Sequence, residues 1–387
     1  MKKTMLLYLL IAVSGAGFAQ DRRAAQIDSM MSFAAGKGLF NGVLCVAEKG
    51  NMVYHKSFGY ANYDTKEPVS EHTLFNLCSV TKQFTAMGIL MLMERGKLGL
   101  DDSLRQYFPE LPYSGVTLRH MLHHTSGLPD YMMQAMQHWA EGNEASNKEA
   151  IALLAANRPP VLFQPGDRFQ YCNTGYILLA TVIEQVSGLS YADFLQQNMF
   201  DPLGMVQSKV YRTVFDESKQ RGIAYGYILD MQQGKMVLPE NDPRYRKQVN
   251  TLTGTYGDGG VFSCSSDMWK WENALKTEQL VKQSTMEAAF TSGLLNNGQT
   301  AGYGFGWFVS RDAAGRKMVV HTGGWPGYRN AFIRYPDQDI SILVLRNNEV
   351  EFMGIQPAVV NILEGKPFEM PKTSLAQALA IEKTGNK

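Results

Sequence analysis

One tetrapeptide of this sequence carries the residue types needed for nucleophilic catalysis. Ser79-Val80-Thr81-Lys82 is the only Ser-x-x-Lys string in the chain, and it opens an apolar run from Phe84 to Met93. In a helix, a spacing of three residues places the serine and lysine side chains on one face, a single turn apart. A lysine whose pKa is depressed by burial can remove the proton of a serine hydroxyl, which makes the oxygen a nucleophile. The same string also fits an N-cap serine followed by a solvated lysine, so the motif needs partners elsewhere in the chain.

A second motif offers a phenol that can pass a proton on to a leaving group. Tyr171-Cys172-Asn173 follows the turn signal Gln164-Pro165-Gly166 and precedes a helical pattern over Ile177–Val186. Two further Tyr-x-Asn strings are Tyr60-Ala61-Asn62, before the serine motif, and Tyr328-Arg329-Asn330, on a predicted C-terminal strand. Only the string at 171–173 lies in a loop of the helical region, from which it can face a sheet across a cleft. A surface tyrosine beside a turn asparagine is the alternative explanation.

A third motif lies at the end of a predicted strand. His321-Thr322-Gly323-Gly324 follows the run Lys317–Val320, and paired glycines allow a substrate backbone to pass close to the strand. The N–H group of Gly324 can complete an oxyanion hole together with the N–H group of Ser79. His321 can tune the charge near Ser79 and Tyr171 or help to hold a carboxylate; alternatively, it simply ends the strand. A second candidate string, Lys383-Thr384-Gly385, is set aside because no strand pattern surrounds it.

The elements that must position these motifs are strands at both ends of the chain and helices between them. Residues 42–62 predict a β-hairpin with its turn at Lys49-Gly50-Asn51, after a helical pattern over Ala24–Ala35. Near the other end, strand-like runs separated by short turns precede a helical pattern at Met353–Leu363. These runs are Gly304–Val309, Lys317–His321, Arg329–Tyr335 and Ile340–Leu345. We therefore predict an α/β fold whose central antiparallel sheet is flanked by helices and built from both ends of the chain.

The same pattern predicts how the chain divides into domains. The sheet domain is discontinuous, over residues 20–80 and 291–365, and a mainly helical domain is inserted over residues 81–290. Residues 366–387 form a C-terminal tail. A ligand site is expected in the cleft between the two domains.

The composition and the N-terminal sequence limit the classes of protein to which the chain can belong. The 387 residues are 45% hydrophobic with a formal net charge of +1, which suits a large buried core and disfavours nucleic acid as a partner. Lys2 and Lys3 precede the apolar run Met5–Val13 and the small-x-small string Gly17-Phe18-Ala19. This order predicts a signal peptide over residues 1–19, cleaved near Ala19, and a mature periplasmic or extracellular protein with no membrane span. An uncleaved N-terminal anchor is the alternative.

The cysteines and histidines do not predict a metal site. Cys45, Cys78, Cys172 and Cys264 are widely spaced and form no C-x-x-C pair, so free buried thiols are expected, with a Cys78–Cys172 bridge as a minor alternative. The cluster His120, His123 and His124 has ligand-type residues, but local hydrogen bonding after a helix explains it better. We predict neither a metal nor a cofactor.

Taken together and in this order, the three motifs resemble those of the serine β-lactamase and penicillin-binding protein superfamily. The chain is most similar to the branch that holds the D-alanyl-D-alanine carboxypeptidases and the class C β-lactamases with their esterase relatives. The resemblance runs from about Ile27 to Leu363. It implies an α/β domain with a central antiparallel sheet, a helical domain, and an active site between the two.

The resemblance also implies a role for each motif. Ser79 forms an acyl-enzyme, Lys82 acts as the base and Tyr171 shuttles the proton. Asn173 holds the substrate amide, and the strand His321-Thr322-Gly323-Gly324 forms the substrate-binding and oxyanion side. His321 departs from the lysine common in β-lactamases, which favours a peptidase or an esterase.

Two classes of function follow. The first is an exported serine hydrolase acting on a small-molecule or peptide substrate: a D-amino-acid peptide, lactam, amide or ester. Within it, a D-alanyl-D-alanine carboxypeptidase-like peptidase or amidase is favoured over a class C-like β-lactamase or an esterase. The second is a non-catalytic sensor that is acylated without turnover; the presence of Ser79, Lys82, Tyr171 and Asn173 together disfavours it.

Overall fold

The computed structural model describes residues 22–140, 145–211, 222–350 and 352–373. The predicted signal peptide and the Lys383-Thr384-Gly385 string lie outside these residues. The strands are β1 (Gly42–Glu48), β2 (Asn51–Phe58), β3 (Tyr60–Asn62), β4 (Glu67–Pro68), β5 (Phe75–Asn76), β6 (Lys209–Val210), β7 (Ile228–Asp230), β8 (Lys235–Val237), β9 (Val261–Ser263), β10 (Phe308–Arg311), β11 (Lys317–Trp325), β12 (Tyr328–Tyr335) and β13 (Ile340–Arg346).

Helices lie mostly between β5 and β10. They are α1 (residues 22–36), α2 (Lys82–Glu94), α3 (Leu104–Tyr107), α4 (Leu118–Leu122), α5 (Tyr131–His138), α6 (Asn147–Asn157), α7 (Asn173–Ser187), α8 (Tyr191–Leu195), α9 (Asp201–Leu203), α10 (Arg246–Thr251), α11 (Ser265–Ala274), α12 (Gln283–Ala289) and α13 (Ile355–Leu363). Among the described residues, no helix is both long and apolar enough to cross a membrane.

Strands from both ends of the chain share one sheet. Its six strands run in the order β10-β11-β12-β13-β1-β2, and each neighbouring pair is antiparallel. The pair that joins the two ends is β1 with β13, in which Val43 lies opposite Leu345. The predicted α/β fold with a central antiparallel sheet is thus confirmed.

The continuous apolar sequence of β1 reflects burial on both faces of the sheet. Val43 and Cys45 belong to the core shared with the helices of the middle of the chain. Leu44 and Val46 belong to a second core formed with α1 and α13. Because side chains alternate along a strand, a strand covered on both faces must be apolar at every position. Each such side chain contributes about 1.5–3 kcal/mol when it is fully buried.

Helix α2 carries the serine–lysine motif into the core. Every residue of α2 from Lys82 to Leu92 is buried, which explains why its sequence is apolar all round. The helix packs closely on α7, and a Cβ placed on Gly88 would lie 2.7 Å from the Ile183 Cδ1. The close contact between α2 and α7 holds the first and second motifs in a fixed relation.

The glycines of the third motif lie within a strand, although the sequence analysis placed them in a break. Strand β11 continues through Gly323 and Gly324 to Trp325, and the turn to β12 follows. A Cβ on Gly323 would lie 2.2 Å from the Leu77 carbonyl oxygen. Glycine is therefore required for the close approach of β11 to the segment that precedes Ser79, and not for a turn.

The predicted strand Gly304–Val309 was wrong in its first four residues, since β10 begins only at Phe308. Residues 304–307 form a loop in which the Gly304 N–H donates to the Trp307 carbonyl. Gly306 has a positive φ of 81°, and a Cβ there would lie 2.8 Å from the Lys82 carbonyl oxygen. The loop packs on the first turn of α2, so the apolar residues around it belong to the core.

Gly323→Ala is expected to lower the free energy of unfolding by about 1–3 kcal/mol, because the added methyl group overlaps the Leu77 carbonyl. The backbone can relieve this overlap only by moving β11 away from Ser79, so hydrolysis should fall as well. Urea denaturation and an activity assay check both effects. Gly36→Ala serves as the control, since no heavy atom lies within 4 Å of a Cβ built at that position. Wild-type stability of Gly323→Ala would contradict the steric argument.

Candidate active site

Ser79 lies in a short 3₁₀ turn, Cys78–Thr81, that runs directly into α2. The turn begins at Cys78, whose φ of +51° is unusual for a residue with a side chain. The Cys78 N–H donates to Asn76 Oδ1 at 2.9 Å, and the Asn330 side chain donates to the Asn76 carbonyl at 2.7 Å. These hydrogen bonds attach the turn that carries Ser79, which we call the nucleophile turn, to both β5 and β12. Ser79 itself is half-buried.

The Lys82 side chain is fully buried, and it donates to three oxygen atoms. Its Nζ lies 3.2 Å from Ser79 Oγ, 2.9 Å from Asn173 Oδ1 and 2.8 Å from the Asp258 carbonyl oxygen. The aromatic ring of Tyr171 lies beside it, with the centroid 4.9 Å from Nζ. An ammonium group has three N–H donors, so all three are used. The unprotonated amine has one lone pair, which can accept the Ser79 proton across the same contact.

Tyr171 and Asn173 flank the start of α7. The Tyr171 Oη atom is buried and, among the described residues, has no hydrogen-bond partner. An unpartnered buried hydroxyl is costly, so a substrate or water atom is expected to complete its hydrogen bonding. The phenol is thus available for proton transfer, beside Lys82.

Asn173 is fixed by a residue that the sequence analysis did not single out. Asp130 caps α5 through the Met132 N–H at 2.9 Å. Its other carboxylate oxygen accepts from the Asn173 backbone N–H at 3.0 Å and from Asn173 Nδ2 at 3.2 Å. With Nδ2 donating to Asp130, the amide oxygen of Asn173 is directed at Lys82. The cue in the sequence was an aspartate directly before a helix.

The third motif lies along the open edge of the sheet. Strand β10 begins at Phe308, opposite Val320, so residues 321–325 of β11 have no neighbouring strand on that side. This segment, which we call the open edge, lies against the nucleophile turn. Gly324 lines the cavity described below, whereas His321 and Gly323 are buried behind it. Thr322 is exposed and does not line the cavity.

His321 is buried, and both of its ring nitrogens are bonded inside the protein. Nδ1 lies 2.7 Å from the Thr322 carbonyl oxygen, and Nε2 lies 2.8 Å from Tyr303 Oη. Because a carbonyl can only accept, Nδ1 carries the hydrogen and Nε2 accepts from the Tyr303 phenol. Burial, together with the charge of Lys82, lowers the pKa of His321 to about 3. A neutral imidazole without a free N–H is suited to limiting positive charge near Lys82 and is not placed to hold a carboxylate.

Tyr303 is a further residue that the sequence analysis missed. It lies in the loop before β10, is fully buried, and has no motif around it that could have identified it. His124 is also buried, with Nδ1 accepting from the Cys172 N–H at 3.1 Å and Nε2 unpartnered among the described residues. Its ring lies 4.3 Å from that of Tyr171, measured between centroids. Aromatic rings therefore surround the Lys82–Tyr171 pair on the side away from solvent.

The other two histidines of the predicted cluster, His120 and His123, also make hydrogen bonds within the protein. His123 Nδ1 donates to the Tyr303 carbonyl at 2.9 Å. His120 accepts from the Thr117 backbone N–H at 3.2 Å and so completes the capping box of α4. All four cysteines are free and buried.

One cavity of about 310 Å³ brings the three motifs together. Ser79, Tyr171, Asn173 and Gly324 all line it, while Lys82 lies beneath Ser79. Its walls come from the open edge of the sheet, from α10 and from the loop Asp258-Gly259-Gly260. Three groups lie around this one cavity: a serine that is hydrogen-bonded to a buried amine, a phenol without a hydrogen-bond partner among the described residues, and the glycine of the open edge. Together they can perform acyl transfer.

Acidification is expected to destabilise the protein before ordinary carboxyl groups titrate. Burial lowers the pKa of His123 to about 4 and that of His321 to about 3, and it holds the pKa of His124 well below its usual value. The unfolded chain takes up protons below about pH 6.5 whereas the folded chain does not. The free energy of unfolding should therefore fall by about 1.4 kcal/mol per histidine per pH unit, until the folded-state pKa is reached.

Urea denaturation at about pH 7 and about pH 5 measures this loss. His123→Asn should reduce the difference in the free energy of unfolding between the two pH values by the contribution of one histidine. His72→Asn, at a side chain that is 64% exposed, should leave the difference unchanged. Equal stability at the two pH values would show that these histidines take up protons in the folded chain as readily as in the unfolded chain.

Comparison with known proteins identifies the family. A family model described as Beta-lactamase matches residues 27–360. The chain belongs to the β-lactamase family. It is 38% identical over 356 residues to Penicillin-binding protein 4* of Bacillus subtilis (strain 168), a match that covers 91% of this chain and 79% of that protein. This β-lactamase family member is thus a serine hydrolase by descent, with the Ser-x-x-Lys motif in place.

Two further relatives of this β-lactamase family member differ in what their names record. The D-aminopeptidase of Gluconobacter oxydans (strain 621H) is 27% identical over 343 residues, which cover 88% of this chain and 62% of that enzyme. The octameric penicillin-binding protein homologue from Pyrococcus abyssi superposes with a TM-score of 0.74 at 28% identity, covering 88% of this chain and 77% of that one. The family therefore holds for almost the whole chain, while the relatives' names do not agree on one substrate.

Proposed function

We propose that the protein hydrolyses D-amino-acid peptides, amides or esters through an acyl-enzyme on Ser79. The single observation that carries this proposal is the 3.2 Å contact between Ser79 Oγ and the buried Lys82 Nζ, at the wall of a cavity that Tyr171 and Gly324 also line. The names of the penicillin-binding and D-aminopeptidase relatives are consistent with it.

The proposed chemistry starts with the transfer of the Ser79 proton to Lys82 Nζ. The Ser79 oxygen then attacks the substrate carbonyl carbon, and the N–H groups of Ser79 and Gly324 stabilise the negative charge that develops on the carbonyl oxygen. Tyr171 delivers a proton to the departing amine or alkoxide as its bond to the carbonyl carbon breaks, and the proton that Lys82 took from Ser79 replaces it on the phenol. A water molecule then gives one proton to Lys82 and adds to the acyl carbon. As the bond between the acyl carbon and Ser79 breaks, that proton returns to the Ser79 oxygen and the acid is released. Asn173 holds Lys82 in reach of Ser79 throughout.

A D-alanyl-D-alanine carboxypeptidase-like activity is the finer form of the proposal, with β-lactam and ester hydrolysis as the alternatives. The neutral, buried His321 distinguishes this site from one with a lysine at the same position, and it supports the peptidase or esterase branch. We also propose that the protein is exported, on the strength of the basic, apolar and small-residue order of residues 1–19.

A substrate panel tests the proposed function. Purified protein should be assayed with a D-alanyl-D-alanine peptide, a D-amino-acid amide, a short-chain ester and a chromogenic β-lactam. Turnover of one of the first three substrates supports a peptidase, amidase or esterase, while fast turnover of the lactam alone supports a β-lactamase. Covalent labelling by a fluorescent penicillin without turnover of any substrate would point to an acylated sensor.

A further inference from the structure

The charged residues that line the cavity are all acidic. Glu240 and Asp258 are part of its wall, and no lysine, arginine or histidine side chain of the described residues lines it. Lys82 is the cation nearest to the reaction centre, and its three donors are directed at Ser79, Asn173 and the Asp258 carbonyl. In the part of the chain that the structure describes, a substrate entering this cavity therefore meets carboxylates and no free positive charge.

Glu240 is the acid best placed to act on a substrate. It lies in the short 3₁₀ turn Pro239–Asn241, is half-buried, and its carboxylate makes no hydrogen bond or ion pair with a described residue. Its backbone carbonyl accepts from Arg246 Nε at 3.0 Å, so this arginine contact is made to a neutral group and not to the carboxylate. A carboxylate at a cavity wall without a protein partner attracts a cationic ligand.

Asp258 lies deeper in the same wall and is hydrogen-bonded within the protein. Its carboxylate accepts from Tyr131 Oη at 3.0 Å, and burial raises its pKa, although the charge of Lys82 opposes the shift. Its position adds acidic character close to Ser79, since the Asp258 carbonyl contacts Lys82 directly. Glu240 therefore supplies the exposed charge of the wall, and Asp258 supplies the inner acidic group.

The cations around this wall are engaged elsewhere. Arg329, beside Gly324, pairs with Glu349 and donates to the Tyr328 carbonyl at 2.9 Å. Arg244 pairs with Asp242 at 2.7 Å, and Lys247 Nζ donates to the Met136 carbonyl at 2.6 Å. Each of these side chains already has a partner within the protein, and none of them lines the cavity.

We infer that the cavity selects substrates whose acyl group carries a primary ammonium, with Glu240 as the residue that determines this specificity. The inference rests on the proposed function and narrows its substrate class to D-amino-acid amides, esters or peptides with a free amino group. Substrates that bring a carboxylate to the cavity are disfavoured. Within the proposed function, this inference therefore replaces the carboxypeptidase-like form with an aminopeptidase-type activity.

Three p-nitroanilides that differ only in charge test this inference. D-alanine p-nitroanilide carries an ammonium, its N-acetyl derivative is neutral, and its N-succinyl derivative carries a carboxylate. At low salt, kcat/KM should fall about tenfold at each step from ammonium to neutral to carboxylate. Because exposed charges are screened by salt, the spread should narrow at about 1 M salt.

The variant Glu240→Gln keeps the shape of the side chain and removes its charge. The ratio of kcat/KM between the ammonium and neutral substrates should fall toward one in this variant. The exposed Glu110, which lies outside the cavity, provides the control, since Glu110→Gln should keep the wild-type ratio. If Glu240→Gln does not fold, the salt dependence of the wild-type ratio remains the deciding measurement.

The outcomes separate the two proposals. Turnover that depends on Ser79 but favours the neutral or the succinyl substrate overturns the charge selection and leaves the hydrolase proposal standing. A wild-type preference for the ammonium that survives in Glu240→Gln overturns the role of Glu240. No Ser79-dependent turnover of any of the three substrates overturns both.

Discussion

Ser79→Ala is expected to abolish covalent labelling by a fluorescent penicillin and to reduce hydrolysis of every substrate to the background rate. The Ser79 oxygen is the atom that would bond to the acyl group, so the variant lacks the nucleophile that Lys82 activates. The fold should be retained, since Ser79 is half-buried and its recorded side-chain contact is the one with Lys82. Gel fluorescence after labelling, initial rates and a thermal melt measure the three quantities.

A control variant separates loss of the nucleophile from disturbance of the turn. Ser103→Ala removes a serine that caps the short helix α3, far along the chain from the motif. It should keep both labelling and turnover. Hydrolysis by Ser79→Ala at the wild-type rate would exclude the acyl-enzyme mechanism on this residue.

Lys82→Ala is expected to slow acylation by about 10³-fold or more, because residues that act as one catalytic unit lose most of the rate when any member is removed. The change removes the group that can accept the Ser79 proton. It also leaves the Asn173 amide oxygen and the Asp258 carbonyl without the donor that they share. A buried acceptor left unpaired costs about 1–3 kcal/mol, so a lower melting temperature should accompany the lower rate.

The two effects of Lys82→Ala can be distinguished. Single-turnover labelling at a temperature well below the melting transition reports on chemistry alone. Lys97→Ala, at an exposed lysine outside α2, should change neither labelling nor stability. Loss of less than tenfold in the acylation rate of folded Lys82→Ala would show that another group accepts the proton.

Much of the site could be predicted because its first motif is local. The spacing of Ser79 and Lys82 is sufficient to place both side chains within one turn, and the 3.2 Å contact agrees with that spacing. Tyr171 and Asn173 depend on the packing of α7 against α2, which is a property of the whole fold. These residues were chosen as the Tyr-x-Asn string that lies in a loop of the helical region, and the resemblance to the family then assigned their roles. The roles of the site residues remain predictions.

What escaped the sequence analysis depends on long-range contacts. The Tyr303–His321 bond forms only because the loop before β10 packs on the first turn of α2, and no local pattern encodes that path. Asp130 was visible as a cap but not as the residue that orients Asn173. The glycines at 323–324 were placed in the break after a strand and were expected to let a substrate backbone approach, whereas Gly323 lies within β11 and its close neighbour is the protein's own Leu77 carbonyl.

The pairing of β1 with β13 has a consequence for biosynthesis. Arg346, at the end of β13, donates to the carbonyl of Leu39, which is 307 residues earlier in the chain. The central strand pair therefore cannot form until residues 340–346 have left the ribosome, and contacts of such long range slow folding. Until then the backbone N–H and C=O groups along one edge of the apolar strand β1 are unpaired, which favours aggregation. A chain cut short before residue 340 should accumulate as insoluble material rather than as a smaller folded protein.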